Sequence, residues 1–109
     1  MKGTFLGEFQ ELVLLAILRQ GDEAYGVIIQ TELSVLAKRP ISRGALHSAL
    51  MRLEEKGFIK SKMGGATNER GGRRKRIYQL TNLGKNALRE AHQMRANFYS
   101  GIKGFALDS

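Results

Sequence analysis

Apolar side chains recur at helical spacing in several stretches of this chain and alternate in two shorter ones. Between Gly7 and Gln20, Phe9, Leu12, Val13, Ala16 and Ile17 mark one face of a first helix. Leu14, Leu15 and Leu18 make the same segment apolar on other sides, so it needs cover on two faces, and a contact between subunits is the natural second cover. A buried strand is the alternative, but the length and leucine content favour a helix. A second helix is predicted from Ala24 to about Ala37, with Tyr25, Ile28, Ile29, Leu33 and Leu36 on its apolar side, and Lys38, Arg39 and Pro40 close it.

Ser42 has the chemistry of an N-cap for a third helix, Arg43 to Lys56. Ala45, Leu46, Ala49, Leu50 and Leu53 form its core side, while Gly44, His47, Ser48, Met51 and Glu55 occupy the opposite face with Arg43 and Arg52 on the flanks. Gly57 ends this helix. Phe58 to Met63 and Arg73 to Leu80 then read as two strands of a hairpin, anchored at its base by Ile59, Ile77, Tyr78 and Leu80, with turn-rich residues between them. Thr81 caps a fourth helix starting near Asn82, where Leu83, Ala87, Ala91, Met94, Phe98 and Ile102 line one long seam.

The predicted fold is therefore mainly α with a small β-hairpin: a winged helix-turn-helix over residues 1–81, a C-terminal dimerisation helix over 82–103 and a flexible tail over 104–109. At 109 residues the chain suffices for one core but not for a separate ligand-binding domain. No stretch has the length of a membrane-spanning helix and the N-terminus lacks the pattern of an export signal, so a cytoplasmic protein with no membrane partner is expected. The absence of cysteine removes disulfides, thiolate metal sites and cysteine nucleophiles.

Charge sharpens this picture by its distribution. The net charge is +8, yet residues 1–37 carry two basic and five acidic side chains, whereas residues 38–76 carry twelve basic and three acidic ones. The positive field belongs to the third helix and the hairpin, which points to double-stranded DNA. Arg43, Gly44, His47 and Ser48 would face the major groove, with Arg52 farther along on the sugar-phosphate backbone. Ser42 suits either a phosphate contact or a simple cap; Gly44 either permits close approach or is an ordinary surface glycine; His47 either approaches DNA or is a surface histidine. In the basic hairpin, Arg70, Arg73, Arg74, Lys75 and Arg76 would track phosphates, and Gly71 and Gly72 would help the chain turn.

So small a module makes few base contacts, and a homodimer would supply a second half-site. Its expected interface comprises Leu14 with Leu83, Ala87, Ala91, Met94 and Phe98, although the seam could instead complete the monomer core. Enzymatic activity is not expected: His47 and His92 are far apart in sequence and complete no metal-ligand or nucleophile-base pattern, and no cofactor motif is present. The competing reading is a dimeric winged-helix protein-interaction module without specific operator recognition.

The segments LGEFQELVLLAIL, EAYG, ISRGALHSALMRLEEKGFI and GGRRKRIYQLTNLG, in this order, resemble the PadR family of bacterial transcriptional regulators, in its short form with one C-terminal helix. The resemblance covers Leu6 to about Phe98. It implies a regulator, commonly a repressor, and the expected homodimer would act at a partly palindromic operator. It also implies that Tyr25 lies near phosphate at the start of the second helix, and that Arg43, His47 and Ser48 sit on the exposed early part of the reader. Arg73 would lie near DNA in the wing, Arg74 and Arg76 would be secondary contacts, and Leu83 would begin the dimerisation helix. Some members respond to phenolic acids or hydrophobic drugs, and some drug-responsive ones use tryptophans around a dimer cavity. This chain has no tryptophan. A small aromatic or hydrophobic effector stays open, with Phe98 or Tyr99 as lining or as plain packing.

Overall fold

The computed structural model describes residues 6–64 and 75–104. Its elements are α1 (Glu8–Gln20), a 3₁₀ turn (Gly21–Glu23), α2 (Gly26–Ala37), α3 (Arg43–Glu55), β1 (Ile59–Met63), β2 (Arg76–Leu80) and α4 (Asn82–Ser100). This is the predicted winged helix-turn-helix order.

The three helices enclose one core. Val13, Leu14, Ala16 and Ile17 of α1 meet Ile29 and Leu33 of α2 and Leu46, Ala49, Leu50 and Leu53 of α3, and Ala87 and Leu88 of α4 join them. Two expected core positions are corrected. Leu36 of α2 and Ala45 of α3 are exposed, because the helices turn narrower apolar stripes inward than their full hydrophobic content allows. The turn between α2 and α3 is pinned by side chains of α2: Gln30 donates to the Ile41 carbonyl at 2.9 Å, and the Ile41 amide donates to Ser34 Oγ at 3.3 Å. Lys38, at the end of α2, adopts the left-handed conformation (φ 58°) and stops the helix before Pro40.

α3 ends in a Schellman motif. Gly57 (φ 83°) donates to the Glu54 carbonyl and Phe58 to the Leu53 carbonyl, and the side chains of Phe58 and Leu53 are both fully buried. Phe58 thus seats the chain in the core at the point where β1 begins. β1 and β2 pair antiparallel, with Ile59 opposite Leu80, Ser61 opposite Tyr78 and Met63 opposite Arg76. Ile59 and Leu80 bury the hairpin base, and Lys60 and Lys62 share the opposite face with Ile77 and Gln79.

Thr81 carries out the capping role expected of it: its Oγ1 accepts from the Gly84 amide at 3.1 Å and donates to the Gly57 carbonyl at 2.6 Å. Beyond this joint, Arg95 of α4 makes a bidentate ion pair with Glu11 of α1, which fixes the long helix against the first.

α1 and α2 are also joined at their surface, where Arg19 and Gln20 both donate to the Glu32 carboxylate. The hydrogen bond from Arg19, then that from Gln20, holds the Glu32 pKa below the ordinary carboxylate value. A depressed folded-state pKa stabilises the fold above the unfolded carboxylate pKa, and this contribution fades as pH falls through the folded value. Arg19 is largely exposed, so Glu32→Gln is expected to cost under about 1 kcal/mol at pH 7. Denaturant unfolding of both proteins should show the gap closing as pH falls through and below the ordinary carboxylate range.

Candidate nucleic-acid interface

The outward face of α3 is polar because its four buried residues, Leu46, Ala49, Leu50 and Leu53, all lie on the other side. Ser42 serves as the N-cap, its Oγ accepting from the Ala45 amide at 3.0 Å. Arg43, Gly44, His47, Ser48 and Arg52 are all exposed. All of these but Gly44 border one of two hollows. Arg43 and His47 lie on the side of a cleft whose other wall is Gly26, Val27 and Gln30 of α2 and Tyr78 of the hairpin. Ser48 and Arg52, with Ala45 and Lys56, border a shallower hollow against Gly7 to Gln10 at the start of α1. Val27 and Gln30 are not singled out by sequence reasoning, because on α2 alone they read as ordinary surface positions.

Tyr25 occupies the N-cap position of α2 in extended conformation and is half-buried. It forms a β-bridge with Ile77, and the Tyr78 amide donates to the Ala24 carbonyl at 3.1 Å, so two residues before α2 act as a third short strand along β2. Lys75 Nζ stands 5.6 Å from the Tyr25 ring centroid, a cation–π contact. The bridge is not legible in the sequence: a two-residue extended segment has no periodicity to detect. Tyr78 lies between the hairpin and the helices, and burial raises its pKa above the ordinary tyrosine value.

Of the basic wing, Lys75 and Arg76 fall within the described residues, and both are exposed. Arg76 Nη1 donates to Ser61 Oγ at 2.9 Å, so this side chain has an intramolecular partner as well as its expected outward role. Arg70, Arg73 and Arg74, together with Gly71 and Gly72, lie outside the described residues.

The expected dimerisation residues divide. Leu83, Met94 and Phe98 of the α4 seam are exposed, Phe98 by 75%, Ala91 is half-buried, and Ile102, expected at the end of the seam, is exposed beyond the helix, which stops at Ser100. Leu14 (0% exposed) and Ala87 (2%) are instead enclosed within the core of the protomer. Leu14 therefore cannot present itself to a partner, and the apolar residues that α1 leaves exposed are Leu15 and Leu18. Among the described residues, no helix is long and apolar enough to cross a membrane.

Comparison with known proteins places this geometry. No curated protein matches the sequence. Among solved structures, a PadR family transcription regulator from Clostridium difficile is similar at 31% identity and TM-score 0.64, over 84% of this chain and 92% of its own. A PadR family transcriptional regulator from Eggerthella lenta is similar at 28% identity and TM-score 0.63, over 86% and 81%. RosR of H. salinarum shares the fold at 23% identity and TM-score 0.71, over 93% and 84%. The model of the transcriptional regulator PadR-like family matches residues 14–90, from the core of α1 through the hairpin and into α4. Since that match spans most of the winged domain just described, the chain belongs to the PadR-like family of transcriptional regulators.

Proposed function

We propose that this protein is a sequence-specific double-stranded DNA-binding regulator that acts as a homodimeric repressor at a partly palindromic operator. The observation that carries the reading is the division of α3: Leu46, Ala49, Leu50 and Leu53 are buried while Arg43, Gly44, His47, Ser48 and Arg52 are all exposed on one helix. A helix so divided can enter the major groove without disturbing the core. The excess of basic side chains in residues 38–76 supplies the phosphate attraction. The solved relatives in Clostridium difficile and Eggerthella lenta, described as PadR family transcription regulators, support the same reading.

The homodimer is proposed from α4. Leu83, Met94 and Phe98 are exposed apolar residues on this helix, and Ile102 just beyond its end is exposed as well, a surface that a second copy would cover. A two-fold dimer reads two inverted half-sites, hence the palindromic operator. Repression follows where such an operator overlaps a promoter.

The test is selection of genomic DNA fragments by the purified protein, followed by sequencing and by measurement of size at micromolar concentration. Recovery of a common inverted repeat, bound by a dimer, is expected. Binding with no preference among duplexes would overturn operator recognition, and a monomer at these concentrations would overturn the dimer. A reporter gene behind the recovered site should then be silenced when the protein is present.

A further inference from the structure

The outer hairpin is joined to the reading helix by three side chains. Ser61 of β1 donates its hydroxyl proton to Glu54 Oε2 of α3 at 3.1 Å, and Ser61 Oγ in turn accepts from Arg76 Nη1 of β2 at 2.9 Å. A serine hydroxyl has one proton to give, and here it is spent on the carboxylate while a lone pair takes the guanidinium. Opposite charges at the two ends polarise the hydroxyl and strengthen both bonds. Tyr78, directly opposite Ser61 in the sheet, feels both ends: Arg76 pulls its pKa down and Glu54 pushes it up, beneath the larger effect of burial.

These linked hydrogen bonds sit at a mechanically sensitive place. Ile59 and Leu80 hold the hairpin base in the core, and two pairs farther out Tyr78 still packs against it while its partner Ser61 stands at the edge, so beyond this pair the strands leave the core. There β2 is gripped along its edge by Ala24 and Tyr25 at the start of α2. Glu54, near the end of α3, supplies a grip through Ser61. We infer that Glu54, Ser61 and Arg76 form a clamp that sets the angle of the wing relative to α3, with Arg76 as a positioning residue. The inference rests on the DNA-binding reading, since the angle matters when wing and reading helix must meet one duplex together.

The clamp makes a prediction opposite in sign to simple electrostatics. Removing a carboxylate from a protein of net charge +8 should tighten binding to a polyanion. If Glu54 holds the wing, Glu54→Ala should instead weaken binding to the selected operator by about threefold to fivefold, the scale of an exposed polar link. Ser61→Ala should weaken it similarly without any change of charge, and Ser61→Thr, which keeps the hydroxyl, should restore it. Glu90→Ala, which removes an exposed carboxylate from α4, should leave affinity unchanged or raise it. Affinities are measured by fluorescence anisotropy on the operator duplex, with thermal melts of every variant. Tighter binding by Glu54→Ala, or wild-type binding by Ser61→Ala, overturns the clamp.

A second readout needs no DNA. The chain has no cysteine, so Ser48→Cys and Lys62→Cys place one pair of spin labels on α3 and β1 of each protomer, and dilution with unlabelled protein isolates the distance within one protomer. Adding Glu54→Ala should broaden their distance distribution, and an unchanged distribution overturns the clamp. Failure of the wild-type protein to bind any duplex would count against the proposed function alone, with the label distances still deciding the clamp.

Discussion

Alanine at Gly84 is expected to destabilise the fold by about 3 kcal/mol and to lower the melting temperature by roughly 12–24 °C. Residue preferences alone give the opposite sign, because alanine in a helix is favoured over glycine by about 1 kcal/mol. The structure reverses this. A Cβ built on Gly84 would lie 2.1 Å from the Phe58 carbonyl oxygen and 3.0 Å from its carbonyl carbon. That carbonyl cannot easily retreat, for it accepts the Thr81 amide at 3.0 Å, the Phe58 amide is bonded to Leu53, and the Phe58 side chain is fully buried. The clash is therefore with fixed backbone, and relief must come from lifting α4 away from the α3–β1 joint. Gly44→Ala is the control: its added Cβ meets nothing within 4 Å, so the helix preference acts unopposed and should raise stability by up to about 1 kcal/mol. Denaturant unfolding of the two variants checks both signs.

On the proposed reading, Arg43→Ala is expected to weaken binding to the preferred operator by roughly tenfold to a hundredfold, because a bidentate arginine contact to a base is worth about 1–3 kcal/mol of discrimination. The loss should be concentrated at one base pair of each half-site, with other duplexes affected less. Arg52, farther along α3 beside the start of α1, serves as the contrast. Its replacement should weaken binding to all duplexes alike and make the slope of log affinity against log salt shallower by about 0.9 for each phosphate no longer neutralised. Titration of operator and scrambled duplexes at several salt concentrations separates the two patterns. A uniform loss for Arg43→Ala would remove it from base reading and leave it a phosphate ligand.

Much of the fold is legible in the sequence because its signals are local. Ser42 and Thr81 have cap chemistry before helical runs, and both act as caps. The polar face of α3 follows in the same way: helical geometry turns Gly44 and Ser48 away from Leu46 and Leu50 and leaves Arg43, His47 and Arg52 toward its flanks, and all five are exposed. Periodicity misleads where several elements compete for one apolar surface. It offers Leu14 and Ala87 to a partner, yet each is covered within the protomer, and a repeat of apolar positions cannot tell which neighbour buries them. Leu36 and Ala45 depart in the other direction, left outside because the packing of α1, α2 and α3 uses a narrower face.

The sequence by itself determined the order of helices and hairpin, the two caps, the concentration of positive charge between residues 38 and 76, and membership of the family, all of which depend on neighbours a few residues apart or on a linear pattern. Only the tertiary structure decided how those elements are locked together. The bridge from Tyr25 to Ile77, the link from Glu54 through Ser61 to Arg76, and the backbone seat of Gly84 on Phe58 each join residues from separate elements. Their meeting follows from how the core closes, and no local preference of the chain encodes it.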